Sequence, residues 1–481
     1  MNATPLLRVL GATMVFLAVS MLIPLMLAIS QDDSVSKNAF SAGVCVSGFF
    51  GIVLFLTTRG RPFTIGRRET VALLPVLAVV ATLIGALPFY LCGNAENFLD
   101  ASFEALSGIT TTGLSLFPDP SVLSPSELLW RAMLQWIGGY GTLVLVIWAL
   151  PSFGLGGVFM PRRDAVETLA ADPQPSFHRL VRSLFVVYGS LTVMCATALL
   201  FAGMPLFDSI CYSMSTLSTG GFVIESSGPL GFKGVGIHLI LALFMMLGAI
   251  NFTLHGRFIS GDWGVYSREF ECRILLIVIL VAVVLILSFT GKNTSGSTIV
   301  SELLTLVSVL TTTGYPGTEM PDPFLKVFLL VFIFLAVVGG TTGSTSGGFK
   351  LMRLALLIRQ AKRELVRLVH PHAVVPIKYG RFAVTQSFLQ SLWVFFIGYI
   401  FCLAALAVTL SCLGIDFATA VISAVSALTN SGPALLHLSD LNVNFAIVSD
   451  GAKLTIMIGM LVGRLELLAL LVLLNFSFWR P

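Results

Sequence analysis

The sequence predicts an all-α integral membrane protein, with four like repeats around one pseudo-fourfold axis and two N-terminal transmembrane helices ahead of them. Three observations carry that expectation: a composition too apolar for water, apolar runs of spanning length, and four copies of one serine-to-glycine string at matched places. Of 481 residues, 56% are hydrophobic and 11% charged, against roughly 25% charged in an average soluble domain. A chain so apolar needs the bilayer as part of its solvent.

The first run, about residues 9–29, carries small residues at Ala28-Ile29-Ser30 that a signal peptidase favours. It is longer than the ~7–15 residues of a signal h-region and only Arg8 precedes it, so it reads as a retained helix. Further runs fall at about 41–57, 70–92, 128–150, 183–204, 235–254, 273–290, 324–338 with its continuation, 388–412 and 452–476, ten in all. Four weaker runs, at about 100–110, 208–218, 300–311 and 416–428, are too short for a ~30 Å hydrocarbon core and read as re-entrant half-helices.

Basic residues orient these spans. With both termini in the cytoplasm, 21 of the 28 fall inside: Arg8; Arg59, Arg61, Arg67 and Arg68; Arg162, Arg163, Arg179 and Arg182; Arg257, Arg268 and Arg273; the eight between Lys350 and Arg381; and Arg480. Lys37, Arg131, Lys233, Lys292, Lys326 and Lys453 fall outside, and Arg464 lies within a span. This is a positive-inside pattern, and it requires every half-helix to enter and leave on the outer side. The net charge of +4 is too mild for nucleic acid. The seven cysteines are scattered as apolar fillers, and His370-Pro371-His372 reads as solvated in a basic loop rather than as a metal site. No nucleophile–base pair or metal-ligand set appears in the spans, which argues against an enzyme.

Each short run ends in a related string: Ser107 to Gly113 (SGITTTG), Ser215 to Gly221 (STLSTGG), Ser308 to Gly314 (SVLTTTG) and Ser426 to Gly432 (SALTNSG). The closing glycines are 108, 93 and 118 residues apart. Small residues pack helices closely in membranes, which explains one or two copies but not four in matched positions. The expected units are 1–66 as the extra helix pair, then repeats over 67–160, 161–262, 263–368 and 369–481. A half-helix ending at mid-membrane carries about half a negative charge there. Four such ends facing one axis attract a cation, and glycine lets extended backbone turn carbonyls inward to replace the ion's water shell. The fold class is therefore four helix–pore-helix–helix repeats around one pseudo-fourfold pore. Asp100, Asp208 and Asp416 stand where they could cap the outer ends of half-helices, with an outer lure for cations as their second reading.

The run 324–338 is about 22 Å long as helix, too short to span. The stretch 339–348 that follows is rich in glycine, serine and threonine. Gly339, Gly340, Gly343, Ser344, Gly347 and Gly348, with Lys350 after them, are expected to form an intramembrane loop that obstructs the pathway when closed. A packing kink is the competing reading; a phosphate loop misses the GxxxxGK[ST] spacing. A guanidinium at mid-span costs several kcal/mol unless it is paired or wetted. Arg464 is accordingly expected to border the pore and pair with loop hydroxyls or carbonyls, the alternative being a structural ion pair. Glu466 points to a different helix face. The basic inner segment 350–381 faces lipid headgroups or offers a docking face for a regulatory subunit.

On these residues the chain resembles the Trk/Ktr/HKT superfamily of potassium transporters, and within it the TrkH type. The resemblance runs through nearly the whole length. It includes Trp136-Ile-Gly-Gly-Tyr-Gly141, Leu247-Gly-Ala-Ile-Asn-Phe-Thr-Leu-His255, the stretch Gly339 to Lys350, and Gly459-Met-Leu-Val-Gly-Arg464-Leu-Glu466. The resemblance implies a potassium filter at Thr111, Thr112 and Gly113; Thr219, Gly220 and Gly221; Thr312, Thr313 and Gly314; and Asn430, Ser431 and Gly432. Glycine at all four closing positions goes with potassium over sodium; Pro433 is a departure that bears on the geometry of the fourth string. The resemblance also implies K+ as the transported ion with no organic cofactor, a channel or symporter in the bacterial plasma (inner) membrane, a homodimer, and a cytoplasmic ring of TrkA-type nucleotide-binding regulatory subunits. The channel-like potassium-binding subunit of a P-type ATPase pump complex shares the four-repeat plan and is the alternative. A transporter with inverted repeats fits poorly, because all four strings enter from one side.

Overall fold

The computed structural model describes residues 3–60, 67–149, 173–232, 234–289, 296–316, 322–373, 375–379, 382–439 and 444–465. Arg61, Arg162, Arg163, Lys233, Lys292, Arg381, Glu466, Arg480, the expected repeat boundaries at 66 and 160, and the end of the last span lie outside those residues. The chain is helical almost throughout. In order, the helices are α1 (Ala3–Ser30), α2 (Ser34–Thr57), α3 (Arg67–Leu91), α4 (Phe98–Ile109), α5 (Pro125–Val144), α6 (Pro173–Phe201), α7 (Leu206–Leu217), α8 (Val235–Gly248), α9 (Phe252–Ile259) and α10 (Val265–Arg268). There follow α11 (Phe270–Phe289), α12 (Gly296–Leu310), α13 (Asp322–Val338), α14 (Leu351–Val369), α15 (Gln386–Cys412), α16 (Phe417–Thr429), α17 (Ala434–Leu438) and α18 (Asp450–Leu465). Between α14 and α15 a ribbon pairs β1 (Lys378–Tyr379) with β2 (Phe382–Ala383), the one sheet among the described residues, so the all-α class stands.

The first two helices form a hairpin. Asp33 caps α2 by accepting the N–H groups of Val35 and Ser36 at 3.1 and 3.2 Å. Gly11 and Gly51 let the two backbones meet: a methyl on Gly11 would lie 2.8 Å from the Phe55 nitrogen, and one on Gly51 2.8 Å from that of Val15. The outer faces of the long helices expose Phe16, Met26, Phe49 and Phe401, as lipid contact demands. Among the described residues, five helices are long and apolar enough to cross a membrane, or up to six if a bent pair counts as one span.

That bent pair corrects an expectation. The run 235–254 reads as one straight span, but α8 and α9 meet at 101°. Asn251 explains the break, since its side-chain oxygen accepts the N–H and the hydroxyl of Thr253 at 2.9 and 2.8 Å and so opens a new helix.

The four short runs are the helices α4, α7, α12 and α16, of 12, 12, 15 and 13 residues. Each lies between two longer helices. Of the three aspartates expected as caps only Asp416 serves, accepting the Ala418 N–H at 3.1 Å. Asn97 caps α4 instead, which frees Asp100 to pair with Lys453 at 2.6 Å, and α7 opens at Pro205 with no side-chain cap. One buried apolar cluster runs from Phe103 on α4 to Met460 on α18 and draws on all four expected repeats.

The glycines of the Trp136–Gly141 motif divide by environment. A methyl on Gly138 would run into the Ile109 carbonyl at the end of α4, whereas one on Gly141 would meet nothing within 4 Å. Gly463 has the same role on α18, its Cα lying against the Leu428 carbonyl of α16. Replacing helical glycine by alanine ordinarily adds up to about 1 kcal/mol. Gly141→Ala is therefore expected to keep or raise the thermal midpoint in detergent, while Gly138→Ala costs at least about 1–3 kcal/mol; equal midpoints for the two variants would contradict the packing described here.

Candidate ion site

All four short helices end in the same way. The N–H of Thr112 donates to the Ser107 carbonyl at 2.9 Å, that of Gly220 to Ser215 at 2.9 Å, that of Thr313 to Ser308 at 2.8 Å and that of Ser431 to Ser426 at 3.1 Å. One residue earlier, Thr111, Thr219, Thr312 and Asn430 each donate to a carbonyl three residues back. This is the Schellman cap, repeated four times. It consumes two of the end carbonyls that a bare half-helix would leave open and requires left-handed backbone at its pivot. The pivots have φ of 50°, 52°, 56° and 52°. Three of them are threonine, for which this conformation costs about 1–2 kcal/mol each.

Two residues beyond each pivot stands the glycine, with φ of 82°, 79°, 84° and 65° at Gly113, Gly221, Gly314 and Gly432. Each of these Cα atoms packs against the carbonyl that precedes the next glycine. Gly113 lies against the Gly220 oxygen, Gly221 against that of Thr313, Gly314 against that of Ser431, and Gly432 against that of Thr112. The contacts run in chain order and close on themselves. Four equivalent carbonyls are thus gathered around one axis, with no room for a side chain between neighbours. Pro433 does not interrupt this closure; it precedes the short helix α17 and leaves Gly432 in place. Of the twelve residues expected at the filter, the four glycines and the residue before each meet from string to string in this way, while Thr111, Thr219, Thr312 and Asn430 are the pivots of the caps.

Hydroxyl pairs brace three of the strings, at 2.8 Å between Thr110 and Thr112, Thr311 and Thr313, and Thr429 and Ser431. The second string has glycine at the corresponding place. Gln135 of α5 fills that space, with Oε1 accepting the Phe222 N–H at 3.3 Å. A methyl on Gly220 would lie 2.6 Å from that oxygen. Asn430 ties the fourth string to the first, donating to the Thr112 hydroxyl at 2.7 Å and to the Met460 carbonyl at 3.1 Å.

Two of the basic residues expected on the outer side are buried. Arg131 pairs with Glu104 at 2.7 Å, donates to the Val223 carbonyl at 3.0 Å and lies 4.1 Å over the Phe222 ring. Glu104 in turn accepts the Ser115 hydroxyl and the Leu116 N–H, so one ion pair fastens the chain leaving the first string to that leaving the second. Lys453 is the other, held by Asp100. Neither role was legible in a count of basic residues.

On the side where the short helices end, the non-helical stretch 339–350 between α13 and α14 lies against the strings. Gly347 donates its N–H to the Thr312 hydroxyl at 2.6 Å and Gly348 to the Thr429 carbonyl at 3.1 Å. The Thr345 hydroxyl reaches the Leu217 and Gly248 carbonyls at 3.0 and 2.9 Å. Gly339, Gly343, Gly348 and Lys350 have positive φ, and a methyl on Gly340 would meet the Ala249 oxygen at 2.8 Å. The bend between α8 and α9 receives this stretch: Gly343 accepts the Phe252 N–H, and Thr341 donates its N–H and hydroxyl to the Ala249 carbonyl. Lys350 is buried and reaches the Ser344 and Ser346 hydroxyls at 3.3 and 3.2 Å. Arg464 donates from Nε to the Thr142 hydroxyl at 2.7 Å and from Nη1 to the Thr345 carbonyl at 2.9 Å, while Nη2 has no partner among the described residues. The site thus joins a ring of neutral carbonyls to a loop carrying two buried cationic side chains.

The chain was compared with known proteins. The family described as TrkH, cation transport protein, matches residues 36–478. The chain is 35% identical over 484 residues to the Trk system potassium uptake protein TrkH of Escherichia coli strain K12, with 98% of each chain covered. It is 31% identical over 480 residues to the Trk system potassium uptake protein TrkI of Halomonas elongata, covering 99% of this chain and 97% of that one. Its fold matches the crystal structure of the potassium transporter TrkH from Vibrio parahaemolyticus with a TM-score of 0.90 at 32% identity, over 100% of both chains.

The exchange between Gln135 and a string hydroxyl is testable. Gly220→Ser is expected to collide with Gln135 and to cost about 1–3 kcal/mol. Combined with Gln135→Ala it should cost less than the sum of the two single changes, because three strings already carry a hydroxyl there. Thermal midpoints of the two single variants and the double variant check this, and strict additivity contradicts it.

Proposed function

We infer, for a chain that belongs to the TrkH family of cation transport proteins, that it takes up potassium through the ring of string carbonyls. It is a multi-pass helical membrane protein of a transport family. The observation that supports this reading most is the cyclic order of the contacts, in which each glycine faces the carbonyl preceding the next glycine. A dehydrated monovalent cation needs several oxygens converging on one point without a carboxylate's full charge, and equivalent main-chain carbonyls offer that. Rigid braces such as Glu104–Arg131 hold those oxygens at fixed spacing. The filter assigned here is Thr111, Thr112, Gly113, Thr219, Gly220, Gly221, Thr312, Thr313, Gly314, Asn430, Ser431 and Gly432.

The stretch 339–350 is read as the gate. It lies against the strings on one side of the ring, and Lys350 and Arg464 bring positive charge near a cation's path. Residues 67–160, 161–262, 263–368 and 369–481 are taken as the four pore repeats. The protein is placed in the bacterial inner membrane with both termini cytoplasmic, as a homodimer that docks a TrkA-type nucleotide-binding ring on its inner face. The potassium-binding subunit of a P-type ATPase complex is not favoured, given a family match that spans residues 36–478.

Two measurements in proteoliposomes test the reading. Gly314→Ala forces a methyl onto the Ser431 carbonyl at positive φ, and is expected to cut potassium flux about tenfold or more and to narrow the potassium-to-sodium ratio; an unchanged ratio at unchanged flux refutes the filter. Arg464→Ala removes a charge taken as ~10 Å from the path, worth ~1.7 kcal/mol at an effective dielectric of ~20. Potassium flux should therefore rise on the order of tenfold, with selectivity preserved. A drop in folded protein with no gain in flux per molecule would make Arg464 purely structural.

A further inference from the structure

The loop 339–350 is held at several backbone N–H groups, and one of its anchors differs in kind. Thr341, Thr345 and Gly348 donate to main-chain carbonyls of the bend and of α16. Gly340 and Gly347 donate to hydroxyls. Thr342 donates instead to a buried carboxylate, Oε2 of Glu271, at 2.6 Å. The other carboxylate oxygen, Oε1, accepts the hydroxyl of Tyr379 at 2.5 Å. Tyr379 stands on β1 of the ribbon that follows the basic helix α14. Its ring meets Phe270 edge-on, with centroids 6.4 Å apart, and the Arg359 guanidinium of α14 lies 4.2 Å over the other partner of that contact, Phe270. Arg359 also donates to the Lys378 carbonyl.

We propose that Glu271 and Tyr379 are positioning residues for the loop: they tether it to the β1–β2 ribbon, so that displacement of the ribbon or of α14 moves the obstruction. This rests on reading the loop as the gate. The chemistry favours a mechanical link over a merely filled gap. A buried carboxylate with each oxygen committed to a different segment fixes the distance between those segments, since charge-assisted hydrogen bonds are short and strong. Removing either partner leaves part of a buried charge without its hydrogen bond. Tyr379 is the half-buried end of the chain of contacts, next to the exposed Lys378, and is thus the end on which an external load would act.

The test uses the full-length protein in proteoliposomes. Tyr379→Phe keeps the ring against Phe270 and removes only the hydroxyl. Potassium flux without any added regulator is expected to rise at least threefold, with the potassium-to-sodium ratio unchanged. In a chain shortened by deletion of 344–346 the same substitution should add nothing, because its effect passes through the loop. If the shortened chain conducts more but Tyr379→Phe does not, the tether is wrong and the gate reading stands. If neither change raises flux, the gate reading fails and takes the tether with it. A rise that adds in full to that of the shortened chain, or a fallen midpoint at unchanged flux per molecule, likewise overturns the proposal.

Discussion

Backbone that leaves the helix inside a bilayer has no water to turn to, and each N–H or carbonyl left open there costs several kcal/mol. The structure meets that constraint in two different ways. At the four strings the chain satisfies itself: the Schellman caps reuse the end carbonyls of each short helix, so the turn needs nothing from outside. At the bend between α8 and α9 and at the stretch 339–350 it cannot, and the two irregular segments satisfy each other. The carbonyls of Gly248 and Ala249, opened by the bend, accept from Thr345 and Thr341, and Phe252 returns a bond to Gly343. Each broken segment is the other's solvent.

Buried charge follows the same division. On the side where the chain leaves the strings, Arg131 with Glu104 and Lys453 with Asp100 are complete pairs, and each joins different parts of the ring. Breaking one member of such a pair costs far more than the pair contributes, so they fix geometry rather than add stability. On the loop side the arrangement is mixed: Lys350 neighbours the buried Glu271 carboxylate that accepts the Thr342 N–H, while Arg464 rests on a hydroxyl and a carbonyl, with one nitrogen that has no partner among the described residues.

Much of this was legible in the sequence, for identifiable reasons. The strings could be found because each close contact with the next string's carbonyl requires a glycine after a short polar run, and four such traces at matched places are hard to produce by chance. The break after Val338 could be found because glycine, serine and threonine replace an apolar run. The bend at Asn251 was missed because mean apolarity continues through it; the signal was there in Asn251 and Thr253, an asparagine cap two residues ahead of a hydroxyl, but one cap in an apolar run is outvoted by length. Asp100 was misassigned because an aspartate near a helix start looks like a cap, and only the fold shows Asn97 already in that place and Lys453 within reach. Gln135 and Glu271 were invisible for a deeper reason. Their partners lie 87 and 71 residues away or more, and no local pattern records such a contact.

The remaining question is why a fourfold ring should carry so unequal a loop. A loop contributed by one repeat can obstruct a shared axis only if it is held from all sides; otherwise it would be displaced toward its own repeat. The contacts meet that requirement. The stretch 339–350 reaches Leu217 at the end of α7, Gly248 and Ala249 at the bend, Thr312 after α12 and Thr429 at the end of α16. Arg464 completes the circuit by holding Thr345 with one nitrogen and Thr142 of α5 with another. That explains why an arginine stands there and a lysine would not do: a planar guanidinium donates in fixed, divergent directions and so spans two segments at once, whereas an ammonium offers a single point. The asymmetry of the loop is therefore compatible with the symmetry of the ring, because the hydrogen bonds that hold it restore purchase on every side.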